Sequence, residues 1–183
     1  MPESDGVYVR RTLRGESEAF QFLVEKYSGA VFALVFSQIG RSSEVEDLTQ
    51  EVFLQAYRSL PNLTQTTRFG SWLYGITKRV CLNWIRKQKS QTVSYGAHES
   101  LLNVPDPAER QPREEPGELI LGCIHTLPAI YREVVLLRYM EDFSYAEMSE
   151  ILGIGESAVN VRLIKARKLL REKIELAYQQ SSR

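Results

Sequence analysis

The stretch Ser144–Leu170, SYAEMSEILGIGESAVNVRLIKARKLL, constrains the fold more than any other. Ser144 precedes Glu147 by three residues, the capping-box spacing, in which a hydroxyl and a carboxylate satisfy each other's free amides at a helix start. Tyr145, Met148 and Leu152 then share one helical face. Gly153-Ile154-Gly155 interrupts it with two residues that tolerate left-handed backbone. Val159, Leu163, Ala166 and Leu170 form the apolar stripe of a second helix, whose other sides carry Ser157, Asn160, Lys165, Arg167, Lys168 and Arg171. A short helix, a glycine turn and a basic helix make the unit that places side chains in a DNA major groove. An ordinary helical hairpin with a solvated face fits the same residues.

The remaining apolar positions also repeat with helical period, and no stretch alternates with period two. The spacing predicts helices over Val7–Arg14, Glu16–Gln38, Ser43–Leu60, Phe69–Lys89, Glu118–Thr126 and Pro128–Tyr139. In the second of these, Phe20, Leu23, Val24, Tyr27, Val31, Leu34 and Val35 face inward. In the third, Ser43 and Glu46 have capping-box spacing, and Val45, Leu48, Val52 and Ala56 face inward. In the last, Ile130, Val134, Val135 and Leu137 are expected inside. The fold class is all-α, with two helical domains at 1–90 and 118–183 joined by a flexible linker at 91–117. That linker holds Pro105, Pro107, Pro112 and Pro116 among polar and acidic residues, and apolar periodicity lapses there.

Charge sharpens this division. The net charge is zero, which taken alone argues against a nucleic-acid partner. The first 95 residues, however, carry twelve basic and nine acidic side chains, residues 96–118 two and six, and residues 119–183 nine and eight. Two mildly basic ends thus flank an acidic middle.

Two helices carry surfaces that a core does not explain. On Ser43–Leu60, the acids Glu44, Glu46 and Asp47 suit the positive end of the helix dipole. Glu51 lies two turns in, and Asp47, Gln50, Glu51 and Leu54 form an outward ridge suited to a basic partner. Over Phe69–Lys89, Phe69, Trp72, Leu73, Ile76, Val80 and Trp84 mark the apolar face. No acid occurs between Glu51 and Glu99, while Arg58, Arg68, Lys78, Arg79, Arg86, Lys87 and Lys89 do. Cations that follow phosphates, beside aromatic faces that stack on bases for roughly 1–3 kcal/mol each, are what a single nucleic-acid strand requires.

Other classes are excluded or weakened. Cys81 and Cys123 stand far apart without a CxxC, so buried free thiols are expected. Cys123 and His125 make no metal set by themselves. There is no triad, P-loop or glycine-rich nucleotide fingerprint, so neither enzyme activity nor a metal or cofactor is expected. No signal peptide or apolar stretch of membrane length is read, and the expectation is a soluble, cytoplasmic chain without membrane insertion. A free-standing helix-turn-helix regulator is the competing reading; it needs a dimer face and a ligand pocket.

In this order and spacing the blocks resemble the extracytoplasmic-function sigma factors, RNA polymerase specificity subunits that keep only sigma domains 2 and 4. GESEAFQFLVEKY (15–27) looks like the family's opening helix, and VEDLTQEVFLQAYRSL (45–60) like its polymerase-binding helix. FGSWLYGITKRVCLNWIRK (69–87) is similar to the helix that engages the promoter −10 element, and residues 127–174 to the domain that reads the −35 element. The resemblance implies that Asp47, Gln50, Glu51 and Leu54 meet the polymerase β′ clamp helices, with the β flap as a further polymerase contact. It implies that the loop with Asn62, Leu63, Thr64 and Arg68 cradles a flipped base. Trp72, Lys78, Arg79, Asn83 and Arg86 then hold the adjacent −10 strand. It places Ser157, Asn160, Val161, Arg162, Ile164, Lys165 and Lys168 at the −35 duplex. An anti-sigma factor that clamps the two domains together is implied as a partner.

The chain departs from the family pattern at Leu63, where an aromatic is common, and at Arg79, where an asparagine is common. Ala158-Val159-Asn160-Val161-Arg162 replaces the usual Thr-Val-Lys/Arg-Ser-Arg. Asn160 can pair bidentately with adenine, and Val161 and Ile164 can meet thymine methyls, so A·T pairs are expected to matter there.

Overall fold

The computed structural model describes residues 4–40, 43–94 and 116–181. Among them are eight α-helices and no strand: α1 (Asp5–Leu13), α2 (Glu18–Ile39), α3 (Val45–Ser59), α4 (Phe69–Ser94), α5 (Pro116–His125), α6 (Ala129–Tyr139), α7 (Tyr145–Leu152) and α8 (Glu156–Ser181). Helix α4 runs past Lys89 into the segment assigned to the linker, and α5 begins inside it; the rest of that segment, 95–115, lies outside the described residues.

Helix α2 is the spine of the first module. Over an 18-residue window its mean hydropathy is 1.3, so by length and composition it is apolar enough to cross a membrane, contrary to the sequence expectation. Half of that window is buried inside the fold, where Leu23, Tyr27, Val31, Leu34 and Val35 pack inward. Helix α1 is fastened to it by a buried carboxylate. Asp5 accepts from Lys26 Nζ at 2.7 Å and Tyr27 Oη at 2.5 Å. Burial and the neighbouring carboxylate hold the Tyr27 phenol far above its ordinary titration range. Helix α3 buries Val45, Leu48, Val52 and Ala56, as its spacing predicts.

The start of α3 differs from expectation. Glu44, not Ser43, is the N-cap residue, and no side chain caps the helix. Capping requires extended backbone at the N-cap, and Glu44 already has helical angles of φ −81°, ψ −6°. Two single-turn 3-10 segments, Leu60–Asn62 and Thr66–Arg68, then turn the chain into α4. Phe69, fully buried at the start of α4, closes the module with its ring centroid 5.5 Å from Tyr27, 5.8 Å from Trp72 and 6.4 Å from Phe20.

The second module is α5–α8. At α7 the capping box forms as its spacing predicts: Glu147 N–H donates to Ser144 Oγ at 3.3 Å, and Ser144 N–H to Glu147 Oε2 at 2.8 Å. The Ser144 hydroxyl, donating to Glu147 Oε2 at 2.6 Å, and the Ser144 N–H together hold the Glu147 carboxyl below its usual range. Gly153 ends α7 at φ +64°, the left-handed region that glycine enters without strain. Val159, Leu163 and Ala166 of α8 are fully buried. Helix α6 lies against both α8 and α2. Glu133, Val134, Val135, Leu136 and Leu137 are consequently all buried, a band too wide for a surface helix. Ile130 was expected inside, yet it sits in the first turn, outside that band, and is 45% exposed.

The modules do not merely share a chain. Helix α6 packs on α2 and α7 on α4, so buried side chains of both halves join one continuous core. The contact runs along α2 and α4. His125 meets the Phe36 ring at 4.7 Å, and Glu133 accepts from Gln38 Nε2 at 2.7 Å and from Tyr74 Oη at 2.9 Å.

Candidate nucleic-acid and protein interfaces

The ridge on α3 is outward. Asp47, Gln50 and Arg58 are exposed, and Leu54 is 51% exposed between them. Glu51 is half-buried, its Oε1 accepting from Gln55 Nε2 at 2.8 Å, which fixes the carboxylate's direction along the helix. The ridge thus sets an apolar side chain among polar and acidic ones, on a helix whose other face is locked into the core.

In the turn before α4, Asn62, Thr64 and Arg68 are exposed. Leu63 is not. It is buried against the core, and its N–H donates to Leu60 O at 3.0 Å. Its side chain therefore lines no surface cradle; among the described turn residues, the polar neighbours face outward. Arg10 Nη1 donates to Thr66 Oγ1 at 3.4 Å, tying this turn to α1.

Along α4, Lys78, Arg79, Asn83 and Arg86 are exposed, with Leu82 49% exposed among them. Arg79, Leu82, Asn83 and Arg86 follow i, i+3, i+4, i+7 spacing and share one face. Among the described residues no salt bridge ties Arg79 or Arg86 to a carboxylate. Lys78 lies over the Tyr74 ring, 5.3 Å from its centroid. Trp72 is half-buried against Phe69, so only part of its ring is presented.

On α8, Ser157, Asn160, Val161, Ile164, Lys165 and Lys168 are all exposed. Val161 and Ile164 are 49% and 55% exposed. Arg162 departs from this row. It is half-buried, and its charge acts on Glu133 of its own module and on Tyr74 of the other.

Glu133 is the residue that sequence reasoning missed. Burial raises its carboxyl above the ordinary range, against the opposing pull of Tyr74, Lys78, Arg162 and Arg132. The signal was a single carboxylate beside the apolar run Val134–Leu137. Cys81 and Cys123 are buried free thiols, and burial pushes Cys81 up to about 12, which keeps it protonated and inert. No cluster of three or more His, Cys, Asp or Glu suited to a metal occurs among the described residues.

A helix-turn-helix module joined to a helical module with a basic, aromatic-bearing helix defines an all-α class of DNA-reading architecture. Comparison with known proteins narrows it. Residues 23–91 match sigma-70 region 2, and residues 117–170 match sigma-70 region 4. The chain is 29% identical to the ECF RNA polymerase sigma-E factor of Escherichia coli, over 94% of this chain and 95% of that one. It is 27% identical to the Haemophilus influenzae sigma-E factor, over 94% and 96%, and 28% identical to SigW of Bacillus subtilis, over 91% and 94%. The fold is shared with CnrH, solved in complex with the cytosolic domain of CnrY. There the TM-score is 0.61 and the identity 20%, covering 95% of this chain and 99% of that one. It is shared too with RpoE of Bartonella quintana, solved with the anti-sigma factor NepR. There the TM-score is 0.56 and the identity 21%, covering 85% and 96%. The chain belongs to the sigma-70 family, in its extracytoplasmic-function group. It is an alternative sigma factor directing transcription, and sigma factors are initiation factors rather than enzymes.

Proposed function

We propose that the chain binds core RNA polymerase through the α3 ridge, reads the −35 duplex with α8, and captures the melted −10 non-template strand with the Asn62–Arg68 turn and α4. Asp47, Gln50, Glu51 and Leu54 engage the β′ clamp helices, and the helix-turn-helix module meets the β flap. The observation that carries the reading is the outward row Ser157, Asn160, Val161, Ile164, Lys165 and Lys168 on the second helix of the helix-turn-helix. Ser157 and the lysines position the helix on phosphates; Asn160, Val161 and Ile164 meet base edges. On α4, Arg79 and Arg86 follow the single strand's phosphates, and Asn83 lies between them. Leu63 serves the turn from the core side, so base contacts there fall to Asn62, Thr64 and Arg68.

An anti-sigma factor is the regulatory partner this reading expects, since RpoE of Bartonella quintana, which shares the fold, is solved with one. The site of action is the cytoplasm, with polymerase and chromosome.

One experiment tests the whole. Purified chain and core polymerase transcribe fragmented genomic DNA, and starts are mapped for the wild type and for Asn160→Ala. The wild type is expected to give starts sharing two spaced elements. Asn160→Ala is expected to relax base preference within the −35 element by about 1–3 kcal/mol at one position. Absence of promoter-specific starts with competent core enzyme sinks the reading; unchanged preference removes Asn160 from it.

A further inference from the structure

We infer that α1 sets the shape of the turn before α4, and that Arg10 is the residue that positions this turn, acting through Thr66. The inference rests on the reading of the turn as a contact to the −10 strand; the packing behind it does not.

Two buried side chains, Leu63 and Phe69, pin the turn at its ends. Between them Thr64, Gln65, Thr67 and Arg68 are exposed, while Thr66 is half-buried. Thr66 thus turns inward midway between the two anchors. It separates two outward pairs, and where it sits decides which way each pair points.

What Thr66 meets is α1, which lies against both single-turn segments. Arg10 Nη1 donates to Thr66 Oγ1 at 3.4 Å. Gly6 stands one turn earlier on the same face of α1 and is buried. A Cβ there would fall 3.1 Å from Thr66 Oγ1, 3.3 Å from Arg10 Nη1 and 3.7 Å from the Thr66 carbonyl carbon. Glycine is the poorest helix former after proline. Here its missing side chain lets the helix approach the turn.

Helix α1 is itself fixed where it does this. Its first residue, Asp5, is buried and accepts hydrogen bonds from Lys26 and Tyr27 of α2. Tyr27 Oη in turn lies 3.0 Å from where a Cβ on Gly70, in the first turn of α4, would stand. The start of α1 is therefore tied to α2 and to the start of α4, one residue from its contact with Thr66. A frame outside the turn holds the middle of the turn.

The bond from Arg10 is open to water and adds little to stability. What it adds is direction. With Thr66 held, residues 64–68 present their outward side chains in one arrangement, and a preorganised contact discriminates better than a mobile one. Arg10 is thus a positioning residue for base choice at the −10 strand.

The test uses the full chain with core polymerase on a promoter library randomised in both elements, with starts counted for each sequence. Arg10→Ala and Thr66→Val are each expected to flatten base preference at the same position of the −10 element by about threefold to tenfold, the worth of one hydrogen bond. Both are expected to leave −35 preference and the urea unfolding midpoint unchanged. Thr66→Ser keeps the accepting hydroxyl and is expected to keep the preference. The two substitutions together are expected to lose no more than either alone, since both break one link. Arg10→Ala is also expected to leave the salt slope of single-strand binding unchanged. Unmoved −10 preference in Arg10→Ala overturns the inference, as does an equal loss at both elements. Additive losses, or a salt slope smaller by about 0.7, overturn it too, because Arg10 would then act on the strand itself. Asn62→Ala judges the proposed function separately. Flattened preference there beside an unmoved Arg10→Ala sinks the inference alone; unmoved preference in both sinks the two together.

Discussion

Truncating Phe69 to alanine is expected to lower unfolding stability by about 3–5 kcal/mol, the range for removing a buried aromatic and leaving a cavity. The ring is fully buried and lies against Phe20, Tyr27 and Trp72, side chains from α2 and α4. Such a loss is a large part of the roughly 5–15 kcal/mol that holds a domain together. Urea unfolding followed by helical circular dichroism measures it. Phe22→Ala is the control: Phe22 stacks on Tyr8 at 5.0 Å but is 50% exposed, and its loss is expected to stay below about 1 kcal/mol. Similar losses at both positions would mean that the first module is not organised around Phe69. Because Phe69 is the first residue of α4, promoter opening should fail together with stability.

The second large effect is electrostatic. Neutralising Lys78, Arg79 and Arg86 to alanine is expected to reduce the slope of log affinity for single-stranded DNA against log salt by about 2, since each phosphate contact contributes about 0.7 for single strands. At low salt the affinity falls with it. The three side chains are exposed, so the fold should survive, and circular dichroism checks that it does. The paired change Lys165→Ala and Lys168→Ala on α8 should instead flatten the salt dependence of duplex binding. An unchanged single-strand slope in the triple variant takes α4 out of the strand's path.

These residues were legible in the sequence because their signals are local. The stripe Val45, Leu48, Val52, Ala56 and the capping pair Ser144 and Glu147 each fit within a few turns of one helix. The acid-free interval that exposes Arg79 and Arg86 is also read along the chain. Other positions depend on what the chain meets in space. Ser43 has the right spacing for a cap, but the backbone at Glu44 is already helical. Leu63 sits in a polar turn, yet it packs in the core. Ile130 matches the apolar period of α6, whose band is set by two flanking helices instead of one. Arg162 belongs by spacing to the DNA-facing helix, yet it is half-buried and its charge acts on Glu133 and Tyr74. The cross-module contact is least legible: Gln38 and Tyr74 lie 95 and 59 residues from Glu133, and no local pattern links them.

The buried carboxylate also makes the chain's stability a matter of protons. Glu133 is faced by Gln38 from α2, by Tyr74, Lys78 and Cys81 from α4, by Arg132 beside it on α6, and by Arg162 from α8. Burial outweighs the cations and raises its titration above the ordinary carboxylate range. In the unfolded chain, in water, it titrates near that ordinary range. Folding therefore takes up a proton wherever the pH lies between the two values, so the stability Glu133 contributes is fully present at and below the ordinary carboxylate range and is lost as pH rises through the raised value. A glutamine at this position is expected to remove that part of the pH dependence, which urea unfolding at several pH values measures.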